Sequence, residues 1–142
     1  MVCLDTDVLI DHLRGDDTVT RLVADLEEKG YSLSTTSLNA FELFYGAQKT
    51  RDKRTNMEAV RTLLDRLVML EFHLICAERA GEIAAALDEE GTPIGFRDIL
   101  VAATALSNGC ELMTGNLRHF ERIKDLRLHA SLQNDTGARE LP

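Results

Sequence analysis

The apolar positions of this chain fall into short unbroken runs that alternate with helix-spaced faces. Val2-Cys3-Leu4 is such a run; it breaks at Asp5-Thr6-Asp7 and resumes at Val8-Leu9-Ile10. An apolar run without polar alternation suits a strand covered on both faces, and the polar break marks its C-terminal end. The spacing then predicts helices over 8–14 and 18–29, stopped by Gly15 and Gly30, with Leu22, Val23 and Leu26 along one side of the second. Residues 31–34 read as a second strand. Ser37 or Thr36 can cap a helix over about 38–48, and a more polar helix follows over 53–66. Residues 68–70 and 72–74 give a weak third strand, 77–90 and 98–108 are helices stopped by Gly91 and Gly109, and 112–114 is a fourth strand. A short helix over 117–124 leads to a last strand at 126–129.

Strands that alternate with helices imply parallel strands joined by right-handed crossovers. The expected fold is therefore a three-layer α/β domain over residues 1–130, with a central parallel sheet of about five strands flanked by helices. Residues 131–142 are polar, contain Gly137 and Pro142 and show no periodicity, so they read as a flexible C-terminal tail. Open parallel sheets place ligands beyond the carboxyl ends of their strands, which puts Asp5 in that crevice.

A chain of 142 residues fits one domain and typically buries roughly 68–70% of its unfolded surface, enough for a core without staples. Cys3, Cys76 and Cys110 form no CxxC pair and lie in apolar surroundings, as expected of reduced core residues in a cytosolic protein. The first residues lack a charged segment followed by a long apolar one, and no apolar run is long enough to span a bilayer, so the chain reads as soluble, unprocessed and cytoplasmic. A net charge of −8 disfavours indiscriminate nucleic-acid binding, so any such partner must be met locally.

Two further carboxylates stand out. Glu42 is the single charge in Asn39-Ala40-Phe41-Glu42-Leu43-Phe44-Tyr45-Gly46-Ala47. An unpaired buried charge costs several kcal/mol or more, so such a group is usually paired, protonated or bound to a metal. Spacing alone leaves a solvent-facing Glu open. Asp98 sits with Arg97 at the start of a buried helix, where the helix dipole and capping already favour an acid, and Asp5 or Asp7 could cap the helix after the first strand. Together, three carboxylates converging in apolar segments would repel one another without a cation. Hard divalent ions such as Mg²⁺ or Mn²⁺ answer that need, since they take oxygen ligands and can act on phosphodiesters. His12, His73, His119 and His129 form no spaced ligand pair.

Taken in order, these stretches resemble the PIN-domain ribonucleases, and in particular the VapC-type toxins of prokaryotic toxin–antitoxin pairs. The likeness runs through Leu4-Asp5-Thr6-Asp7-Val8-Leu9-Ile10-Asp11, Glu42-Leu43 with Gly46-Ala47, Pro93-Ile94-Gly95 with Asp98 and Ala102-Ala103-Thr104-Ala105-Leu106, and Met113-Thr114-Gly115-Asn116 with Arg118-His119-Phe120-Glu121-Arg122-Ile123. It covers almost the whole chain to His129. The resemblance implies a catalytic site of Asp5, Glu42, Asp98 and Asn116, with Asp5, Glu42 and Asp98 as ligands of Mg²⁺ or Mn²⁺ and the hydroxyls of Thr6 and Thr114 in support. It also implies RNA cleavage, homodimerisation and neutralisation by a small cognate antitoxin. Many PIN nucleases carry Asp where Asn116 stands. Lys49, Arg51, Lys53 and Arg54 follow the Glu42 helix and could hold an RNA backbone, although a solvated loop is the commoner meaning of such a run.

Two rival readings remain open. Leu4-Asp5-Thr6-Asp7-Val8 fits the DxD signature of haloacid-dehalogenase-like phosphatases, with Asp5 as nucleophile, but beyond Lys53 the only lysine is Lys124 and no acidic pair follows Met113. The departure at Asn116 also admits a PIN-like binding module that has lost catalysis.

Overall fold

In the computed structural model, which describes residues 1–129, β1 (Val2–Leu4) runs through the middle of a parallel sheet. The strand order is β3-β2-β1-β4, with β2 at Leu33–Thr36, β3 at Val68–Leu70 and β4 at Glu111–Met113. Cys3 pairs in register with Ser34 on one side and with Leu112 on the other. Val2 and Leu4 point to one face of the sheet and Cys3 to the other, and all three are essentially inaccessible. That is why the run is continuously apolar: each face has its own core.

The first core is closed by α1 (Thr6–Leu13), α2 (Asp17–Glu28), α3 (Ser37–Gln48) and α4 (Lys53–Asp65), which pack Val8, Leu9, Val23, Leu43 and Leu63 against Val2 and Leu4. The second is closed by α5 (Leu74–Glu89) and α6 (Phe96–Ser107), with Leu87, Val101 and Ala102 packed around Cys3 and Leu112. A short α7 (Leu117–Phe120) buries Phe120 in the same core. The result is the expected three-layer α/β arrangement. The three cysteines are free and buried.

The differences from the expected elements have local causes. β2 lies two residues later than the apolar pattern suggests because Ser34, Thr35 and Thr36 are fully buried. The Ser34 hydroxyl donates to the Val2 carbonyl at 3.1 Å and that of Thr35 to the Leu4 carbonyl at 2.8 Å, so a polar sequence forms a core strand. Residues 72–74 are not strand: His73 caps α5, and Leu74 and Ile75 lie in its first turn at 86% and 66% exposure. The expected last strand at 126–129 is reduced to a parallel bridge between Leu112 and Leu128. The tail expected at 131–142 lies outside the described residues. No helix among those described is long and apolar enough to cross a membrane.

Candidate active site

Three adjacent strands end at one edge of the sheet, and each hands its chain to polar residues there. Asp5 follows β1 as the N-cap of α1, with extended backbone, and its Oδ1 accepts the Thr6 amide at 2.8 Å. Asp5 thus caps α1 through Oδ1 alone, and its Oδ2 faces elsewhere. It accepts the Thr114 hydroxyl, at the end of β4, at 2.7 Å. Asp7 instead lies inside the first turn of α1 and accepts the Gly115 amide at 2.7 Å, tying the β4 loop to β1.

β2 delivers Thr36 as the N-cap of α3. Thr36 and Asn39 form a capping box in which an Asn takes the place of the usual Glu or Gln. Its carbonyl oxygen is used up by Thr36, which leaves the Nδ2 amide free to donate to Asp5 Oδ1 and to Thr6 Oγ1, both at 2.9 Å. Asn39 is completely buried. Glu42, three residues on and therefore on the same face of α3, accepts the Thr6 hydroxyl at 2.7 Å. Its side chain is 25% exposed, so the solvent-facing reading fails although the carboxylate lies near the rim.

α6 begins at Phe96, two residues earlier than expected, which places Arg97 inside its first turn. The guanidinium fills the point on which the three acids converge. Nη2 lies 2.6 Å from Asp5 Oδ1 and 2.7 Å from Glu42 Oε1, Nε lies 2.9 Å from the same Glu42 oxygen, and Nη1 lies 2.8 Å from Asp98 Oδ1. Burial pulls the pKa of this guanidinium down, but the charge of Asp5 and the bonds from Glu42, Asp5 and Asp98 outweigh it and raise it overall, so Arg97 stays charged. On its far side Asp98 Oδ2 lies 2.7 Å from His119 Nδ1 and a long 3.4 Å from the Asn116 amide, which itself lies 3.0 Å from the same His119 nitrogen. Cys3, beneath Asp5, has its thiol pKa pushed up by burial and then by the Asp5 charge, so it offers no thiolate nucleophile.

All six residues expected at the site are therefore at this sheet edge. The basic cluster is not part of it in the same sense: Lys49 sits over the Tyr45 ring at 5.1 Å, Arg54 pairs with Glu58 on α4, and Arg51 and Lys53 are exposed. Sequence reasoning missed Asn39, Arg97 and His119. Asn39 could have been found as the fourth residue of a capping box that starts at Thr36, and His119 from its place three residues after Asn116 on a helix. Nothing in the sequence says that Arg97 turns inward.

The donor set suits a hard divalent ion, being three carboxylates aimed at one cationic point with hydroxyls and amides behind them. Among the described residues, no three acidic, His or Cys side chains are grouped as a ready metal cage. The Arg97 guanidinium lies between the three carboxylates, in contact with each.

A family model for the PIN domain matches residues 2–126. The chain belongs to the PIN-domain family. Its relatives within that family are VapC ribonucleases. It is 34% identical over 106 residues to ribonuclease VapC2 of Haemophilus influenzae, covering 75% of this chain and 80% of the relative. It is also 38% identical over 92 residues to the tRNA(fMet)-specific endonuclease VapC of Salmonella typhimurium, covering 65% and 70%. Among solved structures, VapBC2 of Rickettsia felis bound to a DNA fragment from its promoter superposes with a TM-score of 0.84 at 28% identity, over 91% of this chain and 98% of the other. DNA-bound VapBC of Salmonella typhimurium gives 0.82 at 30% identity, over 90% and 96%. These likenesses make the chain a VapC-type PIN nuclease.

Proposed function

We propose that this VapC-type nuclease is a divalent-metal-dependent endoribonuclease, the toxin of a toxin–antitoxin pair, with Asp5, Glu42 and Asp98 as the ligands of Mg²⁺ or Mn²⁺. The observation that carries the reading is the convergence of three carboxylates from α1, α3 and α6 on one cationic point at the carboxyl edge of the sheet. A Mg²⁺ or Mn²⁺ held there would polarise the phosphodiester and lower the pKa of attacking water. The chain's own residues do the positioning. Asp5 is fixed by the Thr6 amide, the Asn39 amide and the Thr114 hydroxyl, so it cannot rotate away from the site. Thr6 spends its proton on Glu42 and accepts from Asn39, which orients both carboxylates. His119 braces Asp98 at Oδ2 from the rim, where its side chain is 46% exposed. Asn116 at the rim reaches Asp98 only weakly and would complete the site as a neutral member.

Lys49, Arg51, Lys53 and Arg54 would guide the RNA backbone at the far end of α3. Phe41 and Tyr45, stacked 5.9 Å apart and 64% and 51% exposed on the same helix, would meet the small cognate antitoxin, and a homodimer is the expected assembly. The phosphatase reading is disfavoured by Asp7, the acid it would need as a proton donor, whose oxygens accept the Val8 and Gly115 amides.

The test is to incubate purified protein with total RNA and map the cleaved ends, with Mg²⁺ and with chelator. Asp5→Asn, Glu42→Gln and Asp98→Asn should each abolish cleavage while leaving the folded circular-dichroism spectrum unchanged. Cleavage that survives chelation, or near wild-type cleavage by Asp5→Asn at saturating Mg²⁺, would overturn the reading and favour a binding module or contaminating nuclease.

A further inference from the structure

Arg97 uses the oxygens that the metal reading assigns to an ion. Its guanidinium makes three contacts of 2.6–2.8 Å, one to each of Asp5, Glu42 and Asp98. It also donates to the Thr6 hydroxyl at 3.1 Å. A hard divalent ion must take the same carboxylate lone pairs, and its charge repels a guanidinium a few ångströms away. The two cations therefore cannot share the pocket.

The side chain has a route out. Arg97 lies in the first turn of α6, after an N-cap, Gly95, that makes no side-chain bond, and next to Phe96, which is 80% exposed. Its own side chain is 35% exposed, whereas Asp5 is sealed beneath it. A change of Arg97 rotamer would carry the head group to the rim without unfolding the helix, since a long stem can stay against the surface while the charge moves into water.

Resting on the metal-dependent reading above, we propose that Arg97 is a positioning residue that acts as a tethered counter-ion: it neutralises the three carboxylates and exchanges with the divalent ion, so that metal binds only as the guanidinium leaves. The competitor is covalently attached and cannot diffuse away. The apparent metal affinity is thus lowered by the fraction of molecules in which Arg97 has turned out. A merely structural arginine would do the reverse, because removing it would loosen the site and weaken metal binding.

Mn²⁺ is titrated calorimetrically into chelator-stripped wild type, Arg97→Gln and Arg97→Lys, and Tm is measured for each with chelator and with saturating Mn²⁺. Arg97→Gln should melt lower than wild type in chelator, bind Mn²⁺ at least about tenfold more tightly, equivalent to ~1.4 kcal/mol, and gain more Tm on loading. Arg97→Lys, which keeps the charge, should stay near wild type. In the wild type the ¹⁵N signal of the Arg97 Nε–H should shift and lose its protection from exchange as Mg²⁺ is added. Equal Mn²⁺ affinity in wild type and Arg97→Gln, with an unmoved Nε–H signal at saturating Mg²⁺, would overturn the exchange and leave the metal reading intact. Failure of every protein to bind Mn²⁺ at millimolar concentration would overturn both. If Arg97→Gln does not fold, the wild-type Nε–H signal decides the matter.

Discussion

Asn39→Asp changes one atom type at constant volume and should be among the most damaging substitutions in this chain. The side chain is completely buried, and its amide nitrogen lies 2.9 Å from Asp5 Oδ1. Replacing that donor by an oxygen removes a charge-assisted bond and sets two carboxylates in contact, which cannot both ionise. The folded state must hold a proton there. At pH 7 this is about three units above an ordinary Asp pKa of roughly 3.9, and at ~1.4 kcal/mol per unit it costs about 4 kcal/mol. Arg97, 2.6 Å from the same Asp5 oxygen, screens part of that repulsion, so the expected loss is about 2–4 kcal/mol. The sign with pH is fixed. The folded variant carries a raised pKa, so its stability deficit is largest at neutral pH and shrinks by up to ~1.4 kcal/mol per unit as pH falls toward about 4, where the unfolded chain is protonated too. Urea unfolding of wild type and variant in chelator, at several pH values, measures the difference directly. A deficit below about 1 kcal/mol at pH 7, or one that does not change with pH, would refute the buried contact between Asn39 and Asp5.

Two smaller predictions follow from the same edge and its neighbourhood. His119→Ala removes the partner 2.7 Å from Asp98 and should reduce metal affinity or cleavage rate by about 10- to 100-fold. Because the side chain is half exposed, its unfolding free energy should change by less than about 1 kcal/mol, which urea titration checks. His12 has its pKa lowered from 6.5, first by burial and then by the Arg66 charge, and its Nδ1 is buried without a hydrogen-bond partner. A depressed folded pKa contributes stability that is complete above 6.5 and is lost as pH falls below it, since the unfolded chain takes up the proton more readily. His12→Gln should therefore flatten the fall in Tm between pH 7 and about pH 5.

How much of this could be read in the sequence depends on whether burial left a local mark. β1 and Asp5 were legible because an unbroken apolar run stops at an acid, and Glu42 because it is the sole charge in an apolar helix. β2 was displaced because Ser34 and Thr35 satisfy their hydroxyls on the main chain of β1, more than thirty residues away, while Thr36 satisfies its own on Asn39 three residues on. Leu74, the end of the expected strand at 72–74, misled in the opposite sense: an apolar residue that remains exposed imitates a strand. Asn39 and Arg97 were visible as letters but not as roles. An Arg in a first helical turn can point outward or inward, and only the convergence of Asp5, Glu42 and Asp98 from three separate segments turns it inward.

The support for the three acids is uneven, and the unevenness follows from topology. Asp5 leaves the central strand, so neighbours on both sides reach it: Asn39 from the β2 side and Thr114 from the β4 side, with the Thr6 amide beneath. Glu42 has only the Thr6 hydroxyl and Arg97 among the contacts described above, and Asp98 is held from the outside by His119 and a long Asn116 bond. The inner wall of the pocket is therefore fixed by the sheet, while on its outer side the buried Asp98 is braced by His119 and Asn116 at the exposed rim. Mg²⁺ demands near-ideal octahedral geometry and sheds water reluctantly. On the proposed metal reading, a firmly held Asp5 with less braced Glu42 and Asp98 would meet that demand better than three fixed carboxylates, because the outer acids would close on the ion if the guanidinium moved out.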